Sequence, residues 1–189
     1  RNGLSMVLVS KELQHQLIDH NHLQQQLVAL PLAQVLKAAL HAGQSQLDHI
    51  FQEHKENRIN ELIHARAWLV DQILRMAWQQ YSWPEEAALV AVGGYGRREL
   101  HPQSDVDLLI LLGNGLNASS WHRCTQEFIT FIWDLGLQIG SSVRTLEDCC
   151  EQAKNDITIA TSLIESHTII GKADLREQAL SLIHISEPT

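Results

Sequence analysis

The chemistry in this chain is concentrated in one run: Gly93-Gly94-Tyr95-Gly96-Arg97-Arg98-Glu99-Leu100-His101-Pro102-Gln103-Ser104-Asp105-Val106-Asp107. Asp105 and Asp107 stand two apart at the mouth of an apolar stretch that continues to Leu112 and reads as a buried strand. Side chains two apart on a strand share a face, so both carboxylates point the same way. Two carboxylates so placed repel each other, and each needs water, a donor or a cation. The pair suits a hard, oxygen-preferring cation such as Mg²⁺, which takes one or two protein carboxylates together with substrate phosphates. Gly93-Gly94 closes an earlier apolar run, Ala87 to Val92. Glycines at a strand end let backbone N–H groups approach a ligand closely, and a following helical turn aims its positive end at phosphate. Arg97 and Arg98 add cations. Together these residues describe a triphosphate cradle facing a divalent-metal site, the arrangement of phosphoryl or nucleotidyl transfer.

Each piece has a plainer reading when taken singly. A lone D-x-D is a solvated strand end, here within reach of pairing with Arg97 or Arg98, and a lone Gly-Gly is a turn. The order strand, Gly-Gly, short helix, Ser-Asp-x-Asp, apolar strand is more specific, because each part lies where one bound nucleotide needs it. Other motifs drop out. Gly171-Lys172 is followed by Ala173 and makes no phosphate loop of the G-x-x-x-x-G-K-S/T type, and glycines 93, 94 and 96 do not match the dinucleotide pattern. No H-E-x-x-H or G-x-S-x-G occurs.

The elements that must position this run can be read from periodicity. Residues 1–56 are rich in Gln and His, with a loose helical stripe of Leu13, Leu17, Leu23 and Leu27. Pro31 is placed to open a helix through Leu40 that ends at Gly43. His15, His20, His22, His41, His49 and His54 include no i, i+4 pair and read as solvated. From Asn57 to Tyr81, apolar residues recur at steps of three and four, giving a long amphipathic helix closed by Pro84, with Trp68 and Trp78 as packing residues. Beyond the two strands around the glycines and acids, Ser119 or Ser120 can cap a helix stopped by Gly136, and Leu137 to Thr145 reads as a third strand. Thr145-x-x-Asp148 and Asp156 open two more helices, and Thr168-Ile169-Ile170 is a brief apolar stretch before Gly171. This order predicts an α+β or mixed α/β fold.

The Gly93–Arg97 run with Ser104-Asp105-Val106-Asp107-Leu108-Leu109-Ile110 resembles the signature of the DNA polymerase β-type nucleotidyltransferase superfamily, most closely its bacterial PII uridylyltransferase branch. Leu62–Arg66, Ala91–Gly94, Val143–Glu147 and Ala160–Ser166 agree as well, so the resemblance runs from about 57 to 172. It implies a polymerase β-like core, a small mixed sheet flanked by helices, behind an N-terminal helical region. It further implies that Asp105 and Asp107 hold Mg²⁺ and the α-phosphate of UTP, while Gly93 and Gly94 hold its β and γ phosphates with help from Ser104. The acceptor would be a tyrosine hydroxyl of the PII nitrogen-regulatory protein. An adenylyltransferase or another small nucleotidyltransferase shares the same motifs, and a nucleotide-binding or interaction module without turnover is the reading from a different class. Two departures stand out. Arg98 occupies a position where glycine is expected, and Gln138 stands where a third carboxylate would be sought; either Asp134, Glu147 or a water replaces it, or turnover is slow.

Composition bounds the rest. The chain has 189 residues, 44% of them hydrophobic and 19% charged, enough for a core that forms without staples. With 14 Lys plus Arg against 22 Asp plus Glu, the net charge of −8 disfavours non-specific binding to nucleic acid or anionic membrane. No apolar run nears the ~18 residues of a membrane span. Cys124, Cys149 and Cys150 form no disulfide framework and no C-x-x-C, which points to the cytoplasm. We expect a helical extension over 1–56, a nucleotidyltransferase domain over 57–180, and a non-native tail over 181–189 that does not continue the preceding helical pattern. From the start at Arg1 and the lack of any His-Asp dipeptide we expect a transferase fragment, without the phosphohydrolase and ACT domains the resemblance associates with it.

Overall fold

The computed structural model describes residues 9–54 and 58–186. The expected helix start at Asn57 and the last three residues of the expected tail lie outside them. The chain divides into two compact units: described residues up to Ile73 with Arg98–Gln103, and Leu74–Arg97 with those from Ser104 onward.

The first unit is helical. Helix α1 (Lys11–Leu17) is capped by Ser10, whose hydroxyl accepts from the Leu13 N–H, and α2 (His20–Leu27) by Asp19, which accepts from His22. Leu13, Leu17 and Leu23 of the expected stripe are buried, and Leu27 is half-buried. Helix α3 spans Leu32–His54 and turns Val35, Leu36, Leu40, Leu47 and Ile50 inward. The expected stop at Gly43 does not occur, because Gly43 serves packing rather than termination. A Cβ there would lie 2.7 Å from a Leu69 methyl, so the missing side chain is what lets Leu69 of the next helix approach. That helix is α4 (Ile59–Trp78), opened by a two-pronged Arg58–Glu61 bond of 2.8 and 3.0 Å.

The second unit begins with the last turn of α4 and holds a four-stranded sheet in the order β3-β2-β1-β4. Its strands are β1 (Ala87–Ala91), β2 (Val106–Leu112), β3 (Ile139–Thr145) and β4 (His167–Gly171). β1 runs antiparallel to β2 and β4, while β2 and β3 are parallel. The expected α+β class, with a small mixed sheet flanked by helices, is what forms. Between β1 and β2 lies α5, a single turn over Gly93–Gly96. α6 is His122–Asp134, and a 3₁₀ turn at Ala118–Trp121 precedes it. Ser119 and Ser120 do not cap α6: both lie within the 3₁₀ turn, whose cap is Asn117 accepting from the Ser119 N–H. The expected Thr145/Asp148 capping box is present and opens α7 (Leu146–Ala153), and Asp156 caps α8 (Ile157–Ile164).

Alternation along β2 decides where the acids stand. Leu109 and Leu111 join Ala88 and Val90 of β1 against Leu146 and Cys149 of α7, Ile159 and Leu163 of α8, and Leu175, Ala179 and Ile183 of α9 (Asp174–Ser186). Asp107 belongs to the same row of side chains, one step before that core begins. Residues 181–186 continue a helix, and Ile183 is buried, contrary to the expectation that the helical pattern stops before Ser181. Trp78 stacks face to face on Trp83, with centroids 3.8 Å apart, and both meet Phe128 edge-on, the packing role expected for Trp78.

Candidate active site

Backbone pairing brings the glycine turn to the acids. The Val92 N–H donates to the Asp107 carbonyl at 3.0 Å, so β1 stays zipped to β2 up to the residue before Gly93. Gly93 then takes φ +64°, a left-handed conformation that glycine adopts without strain. The N–H groups of Gly96 and Arg97 close the turn on the carbonyls of Val92 and Gly93. The Asp107 carboxylate is lodged between two glycines. A Cβ on Gly93 would lie 2.9 Å from its Oδ2, and one on Gly140 would lie 2.8 Å from its Oδ1. Gly140 is the β3 residue that the parallel register sets opposite Asp107.

Partial burial, and after it the charge of Asp105, hold the Asp107 carboxyl above the ordinary aspartate value. Among the described residues no lysine or arginine pairs with either acid. The arginines that could have neutralised them are engaged elsewhere. Arg97 pairs with Glu165 at 2.9 Å, and Arg98 lies 3.6 Å from buried Asp71. The plainer reading, a D-x-D neutralised by its neighbouring arginines, is therefore not what the structure holds. Two uncompensated carboxylates beside a glycine turn are the donor set a hard divalent cation takes.

The other expected residues are placed less tightly. Asp105 and Ser104 are exposed just ahead of β2, and Gly94 is the second residue of α5. Arg98 has φ +62°, the conformation that explains an expected glycine there, and its carbonyl takes a 2.7 Å bond from His64 Nδ1. Gln138 is exposed and lies one residue ahead of β3, its carbonyl accepting from the Val106 N–H. Neither Asp134 nor Glu147 supplies a third acid: among the described residues, no three His, Cys, Asp or Glu side chains gather where they could hold a metal.

Two features escaped the reading of the sequence. No motif marks Gly140, and only the register reveals it as the floor under Asp107. The corner Glu165-Ser166-His167 packs on the glycine turn, although nothing in its composition announces that.

A sheet of this order, with a glycine turn at the end of one strand and paired acids at the start of the next, defines a class. Residues 71–162 match the family model described as a nucleotidyltransferase domain, a kind of domain that generally uses a divalent metal. Within that class its relatives are particular. It is 47% identical over 171 residues to the bifunctional uridylyltransferase/uridylyl-removing enzyme of Pseudomonas putida (strain GB-1), a match covering 88% of this chain and 19% of that protein. The enzyme of the same name from Pseudomonas entomophila (strain L48) is 47% identical over 169 residues, with 87% and 18% covered. That from Azotobacter vinelandii (strain DJ) is 49% identical over 144 residues, with 75% and 16% covered. The chain thus spans about a fifth of the length of these relatives. Among the described residues no helix is long and apolar enough to cross a membrane.

Proposed function

We propose that this chain transfers UMP from UTP to a tyrosine hydroxyl of a PII nitrogen-regulatory protein, with release of pyrophosphate, in the cytoplasm. The observation that carries the reading is the uncompensated Asp107 carboxylate, seated against Gly93 of the turn and beside Asp105. Asp105 and Asp107 would hold Mg²⁺, and with it the α-phosphate. Backbone N–H groups of the Gly93–Gly94 turn and the Ser104 hydroxyl would receive the β and γ phosphates. Arg97, oriented by Glu165 on the flank of the same turn, adds positive charge to that end. When bound, the metal draws charge from the attacking and leaving oxygens of an in-line displacement. The protein's own residues fix the triphosphate so that the tyrosine oxygen attacks the α-phosphorus as the bond to the β-phosphate oxygen breaks.

The test is incorporation of label from α-labelled UTP, and separately ATP, into purified PII protein with Mg²⁺, comparing the chain with its Asp105→Asn/Asp107→Asn form. UTP-dependent labelling that disappears in the double variant is the expected result. Labelling from ATP alone would make it an adenylyltransferase. Tight Mg²⁺-UTP binding with no labelling would make it a binding module that lacks its third acid. Binding and turnover unchanged in the double variant would sink the site itself.

A further inference from the structure

The stretch Ala160–Ser166 matches the family pattern, yet the reaction above uses its end only through Glu165, which orients Arg97. In the structure that end, together with His167, closes on the glycine turn. Gly96 has no room for a side chain: a Cβ would lie 2.6 Å from the Glu165 carbonyl oxygen, 2.9 Å from that of Ala91 and 3.1 Å from Ser166 Cα. His167, buried at the start of β4 and paired with Ala91, places Nδ1 2.9 Å from the Gly96 carbonyl oxygen. A carbonyl only accepts, so Nδ1 carries the proton and donates. The same ring meets buried Tyr95 edge-on, with centroids 5.5 Å apart. Glu165 takes Arg97 at 2.9 Å.

Three consecutive residues of the turn, Tyr95, Gly96 and Arg97, are therefore each engaged by the corner 165–167. The corner is itself braced. Arg176 donates through Nε to Ser166 Oγ at 2.6 Å and through Nη2 to the Ile164 carbonyl at 3.1 Å, while Ser166 Oγ donates to the Leu163 carbonyl at 2.6 Å.

A one-turn helix does not hold itself together, because helix nucleation is unfavourable and three of its four residues are glycines with the most freedom to lose. We propose that the Glu165-Ser166-His167 corner is the template that holds the Gly93–Arg97 turn in its phosphate-receiving shape, with His167 a positioning residue acting through the Gly96 carbonyl. The triphosphate as its ligand rests on the function proposed above; the tether itself does not. Loosening the turn scatters the N–H groups that meet phosphate, while Gly140 on β3 still seats the Asp107 carboxylate from its other side. Nucleotide affinity should therefore suffer more than turnover at saturation.

The test compares His167→Ala, His167→Phe (which keeps a ring on Tyr95 without the donor) and His167→Asn (whose Nδ2 replaces Nδ1). Equilibrium dialysis with labelled UTP and Mg²⁺ should give a Kd about tenfold weaker for Ala and Phe, the scale of one buried hydrogen bond, and near recovery for Asn. Amide hydrogen exchange at Gly96 and Arg97, read without nucleotide, should speed up in Ala and Phe and slow again in Asn. Should Ala fail to fold, Phe against Asn still separates donor from packing. Unchanged affinity and exchange in Phe would overturn the proposal, as would Asn and Phe being equally impaired. A wild-type chain that binds no Mg²⁺-UTP would remove the nucleotide reading and this ligand with it, while exchange would still decide whether the tether exists.

Discussion

Three glycine-to-alanine changes separate the two ways a glycine can matter here. Gly93→Ala suffers both: φ +64° is left-handed, and the new Cβ would meet Asp107 Oδ2 at 2.9 Å. A relaxed C···O contact is about 3.4 Å, so the carboxylate must retreat by about 0.5 Å. Gly140→Ala imposes a similar retreat, about 0.6 Å from the 2.8 Å contact, without a positive φ. Gly136→Ala has only the backbone problem, at φ +99° with no atom within 4 Å. A left-handed alanine costs about 1–2 kcal/mol, so Gly93→Ala and Gly136→Ala should each lose about that much stability in urea titrations, and Gly140→Ala should lose little by this route. Activity should sort differently. A misplacement near 1 Å costs about a hundredfold, so half of it predicts a loss of about tenfold or more in UMP incorporation per folded molecule for Gly93→Ala and Gly140→Ala, and none for Gly136→Ala. Full activity in both Gly93→Ala and Gly140→Ala would refute the idea that a precisely seated Asp107 carries the chemistry. Equal activity losses in Gly93→Ala and Gly136→Ala would trace the effect to backbone strain instead.

Other expectations can be checked on the same protein. Because burial and Asp105 raise the folded-state value of Asp107, the folded chain binds that proton more tightly than the unfolded one. Its contribution should therefore fall as pH rises from about 4 through the raised value, and Asp107→Asn should remove that slope from metal-free thermal melts. Near neutral pH, Mg²⁺ should raise the melting temperature of the wild type and leave the Asp105→Asn/Asp107→Asn form unmoved; equal shifts in both would place the metal elsewhere. Burial pushes the Cys149 thiol up to about 11, so a thiol reagent at pH 8 should reach Cys149 only on unfolding while Cys124 and Cys150, both partly exposed, react in the folded chain. Gly43→Leu should destabilise the helical unit by about 2 kcal/mol through overpacking against Leu69, as read by a lower urea midpoint; an unchanged midpoint would mean that α3 can shift to make room.

Most of the sheet was legible because its strands are local patterns. Ala87–Val92 and the run to Leu112 are short, apolar and bounded by glycine, so strand type followed from period alone, although the second strand starts at Val106, one residue after Asp105. The capping box at Thr145 and Asp148 was equally local. What failed was long-range. Gly43 carries a helix-stopping residue type but is needed for the approach of Leu69, which belongs to the next helix. Ser119 and Ser120 have the chemistry of caps, yet Asn117 reaches the turn first. The residues from Ser181 onward depart from the helical pattern before them, and Ile183 is nevertheless buried with the α7–α8 core. Period and composition describe a segment, whereas these outcomes depend on what the segment meets.

The same limit applies to the site and bears on its missing acid. Asp105 and Asp107 were legible as a pair, but Gly140 could be assigned only once β3 was known to run parallel to β2 with Gly140 opposite Asp107. The Val106 N–H donates to the Gln138 carbonyl at 2.9 Å, which ties the residue ahead of β3 to the backbone between the two acids. A third carboxylate there would add a third like charge to a pair that no lysine or arginine neutralises among the described residues. Glutamine spares that repulsion in the empty site and forgoes a charged ligand in the full one. The expected consequence is weaker metal binding, not a lost fold: Gln138→Glu should tighten Mg²⁺ binding in titration calorimetry and lower metal-free stability together. A variant that gained neither would show that the neighbouring strand takes no part in holding the ion.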